Sequence, residues 1–390
     1  MHDGFLKVAA GTPEVRVADC IDNAQRCLEL IQEGAAQGVK VLCLPELCLT
    51  GCTCGDLFLQ STLLCAAEEA LKTILTATEE VDMLIALGLP VRYNHKLFNC
   101  AAVMCRGRLL GLVPKSGLSN STEVEETRWF SSGRDLLGTA CSIPFAGQES
   151  VDISPGLLFR CASLPLLTVG VTLCGDLWAA GDSAARLAQG GAVLLLAPAA
   201  SNETVGRADS RCTLLCAASA RLLCGYVYAG AGWGESSTDR VYAGHRILAE
   251  NGAILAQRRF ETGLTIAEMD LERLSRQRQR TSRYPSDADS RCPNDFSLDV
   301  AETALTRPVE KNPFVPANAE ARDIRCREIL IIAALGLKQR LAHTAVKTVV
   351  LGLSGGLDST LALLLTVRAL DLLGRPRTDL LAVTMPCFGT

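Results

Sequence analysis

Apolar residues in this chain come in short, dense runs separated by amphipathic or polar stretches, a pattern that predicts strands alternating with helices. Val39–Pro45, Val81–Pro90, Leu166–Cys174, Ala192–Ala200, Leu223–Ala231 and Gly263–Asp270 each read as a strand. Asn99–Cys105 and Leu109–Pro114 flank the polar Arg106–Arg108 and read as a hairpin. A second hairpin is expected in His245–Gln257, where Asn251-Gly252 supplies tight-turn residues. Between these runs the period changes. Asp19 is placed to cap a helix whose apolar face carries Ile21, Ala24, Leu28 and Ile31 and which ends at Gly38. Gly181–Gly190 and Arg207–Leu223 have helical character as well. Strands interleaved with helices predict α/β layers.

The texture changes at Glu272. Arg273, Arg276, Arg278, Arg280 and Arg283 crowd into one short stretch, and a polar, proline-punctuated segment follows to about Pro316. This reads as a domain connection, with the arginines on a solvated helix or laid on a neighbouring surface. Glu328–Leu341 is then helical and contains Gly336. Lys347–Leu373 reads as strand, loop and helix, and Asp379–Pro386 as the next strand, an order that starts a parallel sheet. The expected organisation is a first domain at 1–271, a connection at 272–320 and an incomplete domain at 321–390.

Composition narrows the class. The chain is 48% hydrophobic and 21% charged with net charge −4, which gives no reason to expect nucleic acid or an anionic membrane as partner. The N-terminal MHDGFLKVAA lacks the layout of a secretory signal, and no apolar run reaches the roughly 18–20 residues a bilayer requires. A cytoplasmic location is expected. The 18 cysteines are scattered, many in apolar runs (Cys43, Cys100, Cys216, Cys224), so they read as reduced core thiols. Cys52 and Cys54 have no second pair at zinc spacing.

Three polar residues stand where strands end: Glu46, Lys115 and Cys174. In α/β folds, sites are built at the carboxyl ends of strands. A cysteine near a cation can be a thiolate, a carboxylate beside it can move protons, and a lysine can stabilise an oxyanion. These residue types suffice for acyl transfer from an amide. The order PELCLTG, LVPK, TLCGDLW resembles the nitrilase superfamily of carbon–nitrogen hydrolases. With Ser201–Arg207, Gly232–Gly252, Asn312–Pro316 and SGGLDST, the chain resembles glutamine-dependent NAD synthetases along nearly all its length.

The resemblance implies a nitrilase-like αββα sandwich followed by the start of a doubly wound, parallel-sheet ATP-pyrophosphatase domain. It implies Cys174 as nucleophile, Glu46 as general base and Lys115 on the oxyanion side. A further carboxylate positioning the lysine is expected at Glu123, or alternatively at Glu126. Ser201 and Arg207 are expected to hold glutamine, the arginine by bidentate pairing with its α-carboxylate. The chain departs from the family at Ser121, where a tyrosine often contacts glutamine, and at Gly175, where an acidic residue often follows the nucleophile. Both departures thin the expected glutamine pocket.

Ser354, Gly355, Gly356, Asp358 and Ser359 form an SGGxDS signature between a strand and a helix. Small residues let backbone N–H groups approach phosphates, and the helix dipole favours an anion there. Asp358 suits magnesium, which takes oxygen ligands. The family resemblance implies an ATP-dependent carbon–nitrogen ligase that amidates deamido-NAD with ammonia from glutamine, working as a homo-oligomer. About 70 residues from Ala321 onward are too few for a complete ATP-pyrophosphatase domain, so only the glutaminase half is expected to function here. A stand-alone nitrilase-type amidase and an inactive assembly fragment are the alternative readings.

Overall fold

The computed structural model describes all residues except 1–2, 121–124, 139–140, 180–182, 239, 282–293 and 386–390. Ser121, Glu123, Arg283 and Pro386 therefore lie outside the described residues. The chain divides into two compact units, Met1–Arg307 and Pro308–Thr390.

Strands of the first unit are β1 (Phe5–Thr12), β2 (Val41–Cys43), β3 (Leu84–Tyr93), β4 (Lys96–Cys105) and β5 (Arg108–Pro114). They continue with β6 (Ser142–Phe145), β7 (Gln148–Asp152), β8 (Leu158–Cys161), β9 (Thr168–Val171) and β10 (Leu194–Ala199). Last come β11 (Gly225–Gly230), β12 (Arg246–Glu250), β13 (Ala253–Arg258), β14 (Gly263–Asp270) and β15 (Asn294–Phe296). Its helices are α1 (Cys20–Ala36), α2 (Ser61–Ala77), α3 (Cys174–Trp178), α4 (Ser183–Gln189), α5 (Arg207–Leu222) and α6 (Leu271–Gln279).

Two sheets form, ordered β14-β1-β2-β3-β4-β5 and β13-β12-β11-β10-β9-β8-β15. Side chains alternate between the two faces of each strand, and here both faces are covered. Leu6, Val8 and Ala10 of β1 meet Val169, Val171, Leu194 and Leu196 between the sheets. Ala9, Ile85 and Leu87 face α1 and α2 on the other side. Leu195, Ala197, Tyr226 and Tyr228 face α4 and α5. The layers are thus helix, sheet, sheet, helix, the αββα order that the resemblance implies. Strands buried on both faces read as unbroken apolar runs, which is why most were legible.

Both expected hairpins form. β4 and β5 pair antiparallel around Arg106 and Gly107, and β12 pairs with β13 across Asn251-Gly252. Asp19 caps α1 by accepting from the Asp22 N–H. Ile21, however, is exposed, and the buried face runs through Cys20, Ala24, Cys27 and Ile31. Counting cysteine as an apolar residue would have rotated the predicted face to this position. Cys216 is only partly buried, unlike Cys43, Cys100 and Cys224, and the cysteines among the described residues are free thiols.

The stretch read as a connection, residues 272–320, is divided by the structure: 272–307 belongs to the first unit. α6 buries Leu271 and Leu274. Arg278 donates to the carbonyls of Leu222 and Leu223 at 3.2 and 3.0 Å, satisfying the end of α5. One member of the arginine cluster is therefore a helix cap.

The second unit contains α7 (Ala319–Thr344), β16 (Val349–Leu353), α8 (Leu357–Leu372) and β17 (Leu380–Thr384). β16 and β17 pair in parallel, the βαβ order expected from the pattern. α7 extends well beyond the predicted Glu328–Leu341 because Asn318 caps it through the Ala321 N–H. Its buried hydrophobic cluster consists of Leu341, Ala369 and Leu370, while Val350, Leu361, Leu364 and Leu381 are exposed. No helix among the described residues is long and apolar enough to cross a membrane.

Candidate active site

Glu46, Lys115 and Cys174 come from three separate strand ends and meet in one buried cluster. Glu46 follows β2, where the Leu44 N–H still bonds Ala86 of β3. Lys115 follows β5, and its N–H donates to the Asn99 carbonyl on β4 at 2.8 Å. Cys174 opens α3 directly after β9. The first N–H groups of a helix have no partner within it. The Cys174 N–H spends this freedom on Glu46 Oε1, at 2.9 Å.

Lys115 Nζ lies 2.8 Å from Glu46 Oε2 and 2.7 Å from Glu126 Oε1. Glu126 occupies a short 3-10 turn, Glu126–Arg128, and its other oxygen accepts from the Ser119 N–H at 2.7 Å. Glu126, the alternative carboxylate for positioning the lysine, is thus in contact with it; Glu123 lies outside the described residues. Exposures of 0% for Glu46, 3% for Lys115 and 5% for Cys174 make this a desolvated charge cluster.

Burial works against the Lys115 charge, but Glu46 and Glu126 outweigh it and hold the ammonium protonated. Burial pushes the Glu46 carboxyl up, against the pull of Lys115 and Asn99. Cys174 is pushed up as well, by burial first and then by Glu46, with Lys115 only partly offsetting them. The thiolate anticipated from a nearby cation is therefore replaced by a neutral resting thiol. Such a thiol needs a base, and Glu46 adjoins it.

A cavity of about 360 Å³ opens on this cluster, lined by Lys115, Cys174, Gly175, Trp178, Ser201, Asn202 and Arg207 among others. That volume lies within the range of small-molecule sites. Arg207, at the start of α5, donates to Asn202 Oδ1 at 3.0 Å and sits 5.7 Å from the Trp178 ring centroid. Ser201 lines the same cavity. The arrangement suits attack by a thiol on a small polar amide, with a carboxylate to carry the proton and an ammonium to meet a developing oxyanion.

Several residues here were not singled out from sequence. Tyr228 of β11 brings its hydroxyl to 3.8 Å from Cys174 Sγ. Behind it, Arg211 is fully buried against Glu203 at 3.1 Å and His245 Nδ1 at 2.6 Å. Burial and then Arg211 pull the His245 imidazole down to about 4, so it is neutral at pH 7. Asn99 donates to Glu46 Oε2 at 2.8 Å. Asp176 accepts from the Gly117 N–H at 2.6 Å and ties α3 to the loop after Lys115. Tyr228 and Asn99 had one available signal, a polar group inside a run that otherwise reads as fully buried strand.

That same close approach explains Gly175. A Cβ there would lie 1.8 Å from the Gly117 carbonyl oxygen, a backbone atom with no rotamer to give way. Gly175→Ala is expected to force the 115–118 segment aside and lower unfolding free energy by about 1–3 kcal/mol, read from urea denaturation midpoints. An unchanged midpoint would mean that the contact relaxes freely.

In the second unit, Ser354, Gly355, Gly356, Asp358 and Ser359 form the turn from β16 into α8. Gly355 takes φ +86°, open to glycine and strained for other residues. Among the described residues no side chain caps the first turn of α8, so its leading N–H groups have no capping partner. Ser359 Oγ donates to the Gly356 carbonyl at 3.0 Å, and Asp358 is exposed in the first turn. No cluster of three or more metal-ligating side chains occurs among the described residues.

In keeping with its four layers of helix and sheet, the chain belongs to the carbon–nitrogen hydrolase family, whose model matches residues 7–279. The NAD synthase model matches residues 331–390. More particularly, the chain is a homologue of the glutamine-dependent NAD(+) synthetases. It is 37% identical over 399 residues to that of Mycobacterium tuberculosis, covering 99% of this chain and 58% of the relative. The chain thus spans somewhat over half the length of the curated relatives it matches. The solved glutamine-dependent NAD(+) synthetase from Cytophaga hutchinsonii superposes with TM-score 0.60 at 23% identity, covering 94% of this chain and 52% of that one. An amidase from Nesterenkonia sp. gives TM-score 0.53 at 18% identity over 72% of this chain and 98% of its own.

Proposed function

We propose that the first unit is a glutaminase and that Cys174, Glu46 and Lys115 carry its chemistry. The observation that bears most weight is the joint contact of Glu46 with both other residues: Oε2 with Lys115 Nζ and Oε1 with the Cys174 N–H. Cys174 Sγ attacks the side-chain amide carbon of glutamine while Glu46 takes the thiol proton. Lys115 Nζ stabilises the resulting oxyanion. The tetrahedral intermediate collapses, the C–N bond breaks, and Glu46 returns the proton to the departing ammonia. Water, deprotonated by Glu46, then cleaves the glutamyl thioester to glutamate and restores the thiol.

Arg207 and Ser201, on the cavity wall, hold the amino-acid end of glutamine in this reading. Arg207→Ala is expected to lower kcat/KM for glutamine about 10–100-fold, the loss of one charge-assisted pairing. Hydrolysis of propionamide, which has no α-carboxylate, should change little. Equal losses on both amides would contradict the assignment of Arg207 and favour a general amidase.

The second unit supplies the opening phosphate-binding turn of the synthetase. The uncapped α8 N-terminus, the left-handed Gly355 and the exposed Asp358 fit a magnesium nucleotide triphosphate: backbone N–H groups of 354–359 would hold its phosphates, and Asp358 its metal. Bound ATP supplies activation of the deamido-NAD carboxylate for attack by ammonia. The related synthetase from Acinetobacter baumannii was solved with adenosine diphosphate. A homo-oligomeric, cytoplasmic NAD synthetase is the whole-protein role in which this glutaminase would serve, with residues 321–390 as the start of the synthetase domain.

A further inference from the structure

The two oxygens of Glu46 are not equivalent. Oε2 accepts from Lys115 Nζ and from Asn99 Nδ2, each at 2.8 Å. Oε1 accepts only the Cys174 N–H, at 2.9 Å, among the described residues. A carboxylate oxygen offers about two lone-pair positions, so Oε2 is filled and Oε1 keeps one free. The free position adjoins the residue whose thiol must lose a proton.

Asn99 is an unusual residue to find where it is. It sits within β4, 0% exposed, between Phe98 and Cys100, in a strand whose every other position after Lys96 is buried and apolar. Its Oδ1 has no hydrogen-bond partner among the described residues. An orphaned buried carbonyl is destabilising, and an apolar residue of the same size would avoid it. Turning the amide over would not help, because Oδ1 would then face Glu46 Oε2, acceptor against acceptor. The amide is therefore held for its donor alone. The Asn99 main-chain carbonyl also accepts the Lys115 N–H, so one residue secures both partners of the ion pair.

We infer that Asn99 is a positioning residue: by filling the remaining lone pair of Glu46 Oε2, it leaves Oε1 as the oxygen that receives the Cys174 proton. The inference rests on the assignment of Glu46 as base. The charged and titratable groups around Glu46 are Lys115, Glu126, Cys174, Tyr228 and Cys52. Of these, Lys115 is the cation; the uncharged Asn99 donor on Oε2, like the Cys174 N–H on Oε1, stabilises the ionised carboxylate. Without the Asn99 donor the carboxylate holds its proton to higher pH.

The test is the pH dependence of Cys174 alkylation by iodoacetamide, followed by mass spectrometry of the Cys174 peptide in the full chain. Wild type should show an acid limb that belongs to the coupled Glu46–Cys174 pair. Asn99→Leu should move that limb upward by about one pH unit, a tenfold change in the ionisation equilibrium, while its urea midpoint stays equal or rises. Asn99→Asp, isosteric but acidic, should move it further, since a second carboxyl opposes ionisation of the first. A limb that coincides with wild type in Asn99→Leu overturns the inference. If that variant does not fold, the same result in Asn99→Asp does so. Failure of the underlying assignment looks different: Glu46→Gln would then leave the wild-type limb in place.

Discussion

Replacing Cys174 with alanine is expected to remove glutamate release from glutamine, by on the order of 10⁴-fold or more, with little effect on folding. The side chain contributes one sulfur atom facing a cavity, so truncation removes little packing. The loss follows from chemistry instead: no other described thiol is both within reach of Glu46 through its own backbone N–H and open to the 360 Å³ cavity. Steady-state ammonia release, with urea denaturation as the folding control, measures both halves. Activity within tenfold of wild type would require a different nucleophile.

Lys115→Met is expected to damage the protein twice. With the ammonium gone, Glu46 and Glu126 share a desolvated site without their common cation, from which each oxygen lies less than 3 Å away. Breaking a buried ion pair from one side destabilises by about 3–5 kcal/mol, and glutaminase turnover should fall by about 10²–10³-fold with the oxyanion partner lost. One carboxyl would take up a proton to relieve the repulsion, so destabilisation should grow as pH rises from acidic to neutral. Lys115→Arg should not restore activity, because a planar guanidinium cannot reproduce a point ammonium between two carboxylates. Glu126→Gln, which keeps an acceptor on Lys115 but removes one charge, should lose less. A Lys115→Met protein as stable as wild type would mean the cluster is solvated, against its near-zero exposure.

Much of the fold could be read along the chain for a physical reason. Strands covered on both faces have to be largely apolar, and β10, with β3 from Leu84 to Val91, is so throughout. Helix α2 escaped notice, since its apolar positions follow a loop with no strong cap: Gln60 makes no side-chain capping bond. The short β6, β7, β8 and β15, three to five residues each, escaped because so few positions carry too little periodicity to register.

Site residues divide the same way. Glu46, Lys115 and Cys174 stand immediately after apolar runs, where a charge or thiol is conspicuous. Their convergence was not visible from spacing alone; it came from resemblance, and the structure joins the Glu46 and Lys115 side chains and ties Glu46 to the Cys174 N–H. Sequence lists neighbours without solvent, so it could not show that burial outweighs Lys115 in the ionisation of Cys174. Asn99 and Tyr228 were passed over as members of strands, though each is a polar group placed where only packing was expected. Gly175 read as a lost pocket residue, whereas the structure gives it a steric reason in the Gly117 carbonyl.

The central claim, that Cys174 is acylated by glutamine, is tested most directly by quenching the full chain in acid during turnover and mapping every cysteine peptide by mass spectrometry. The account predicts a glutamyl adduct on the Cys174 peptide, present with glutamine, accumulating in Glu46→Gln where hydrolysis lacks its base, and gone in Cys174→Ala. A glutamyl adduct on another cysteine, or glutamate release that proceeds with Cys174 unmodified and persists in Cys174→Ala, would contradict it.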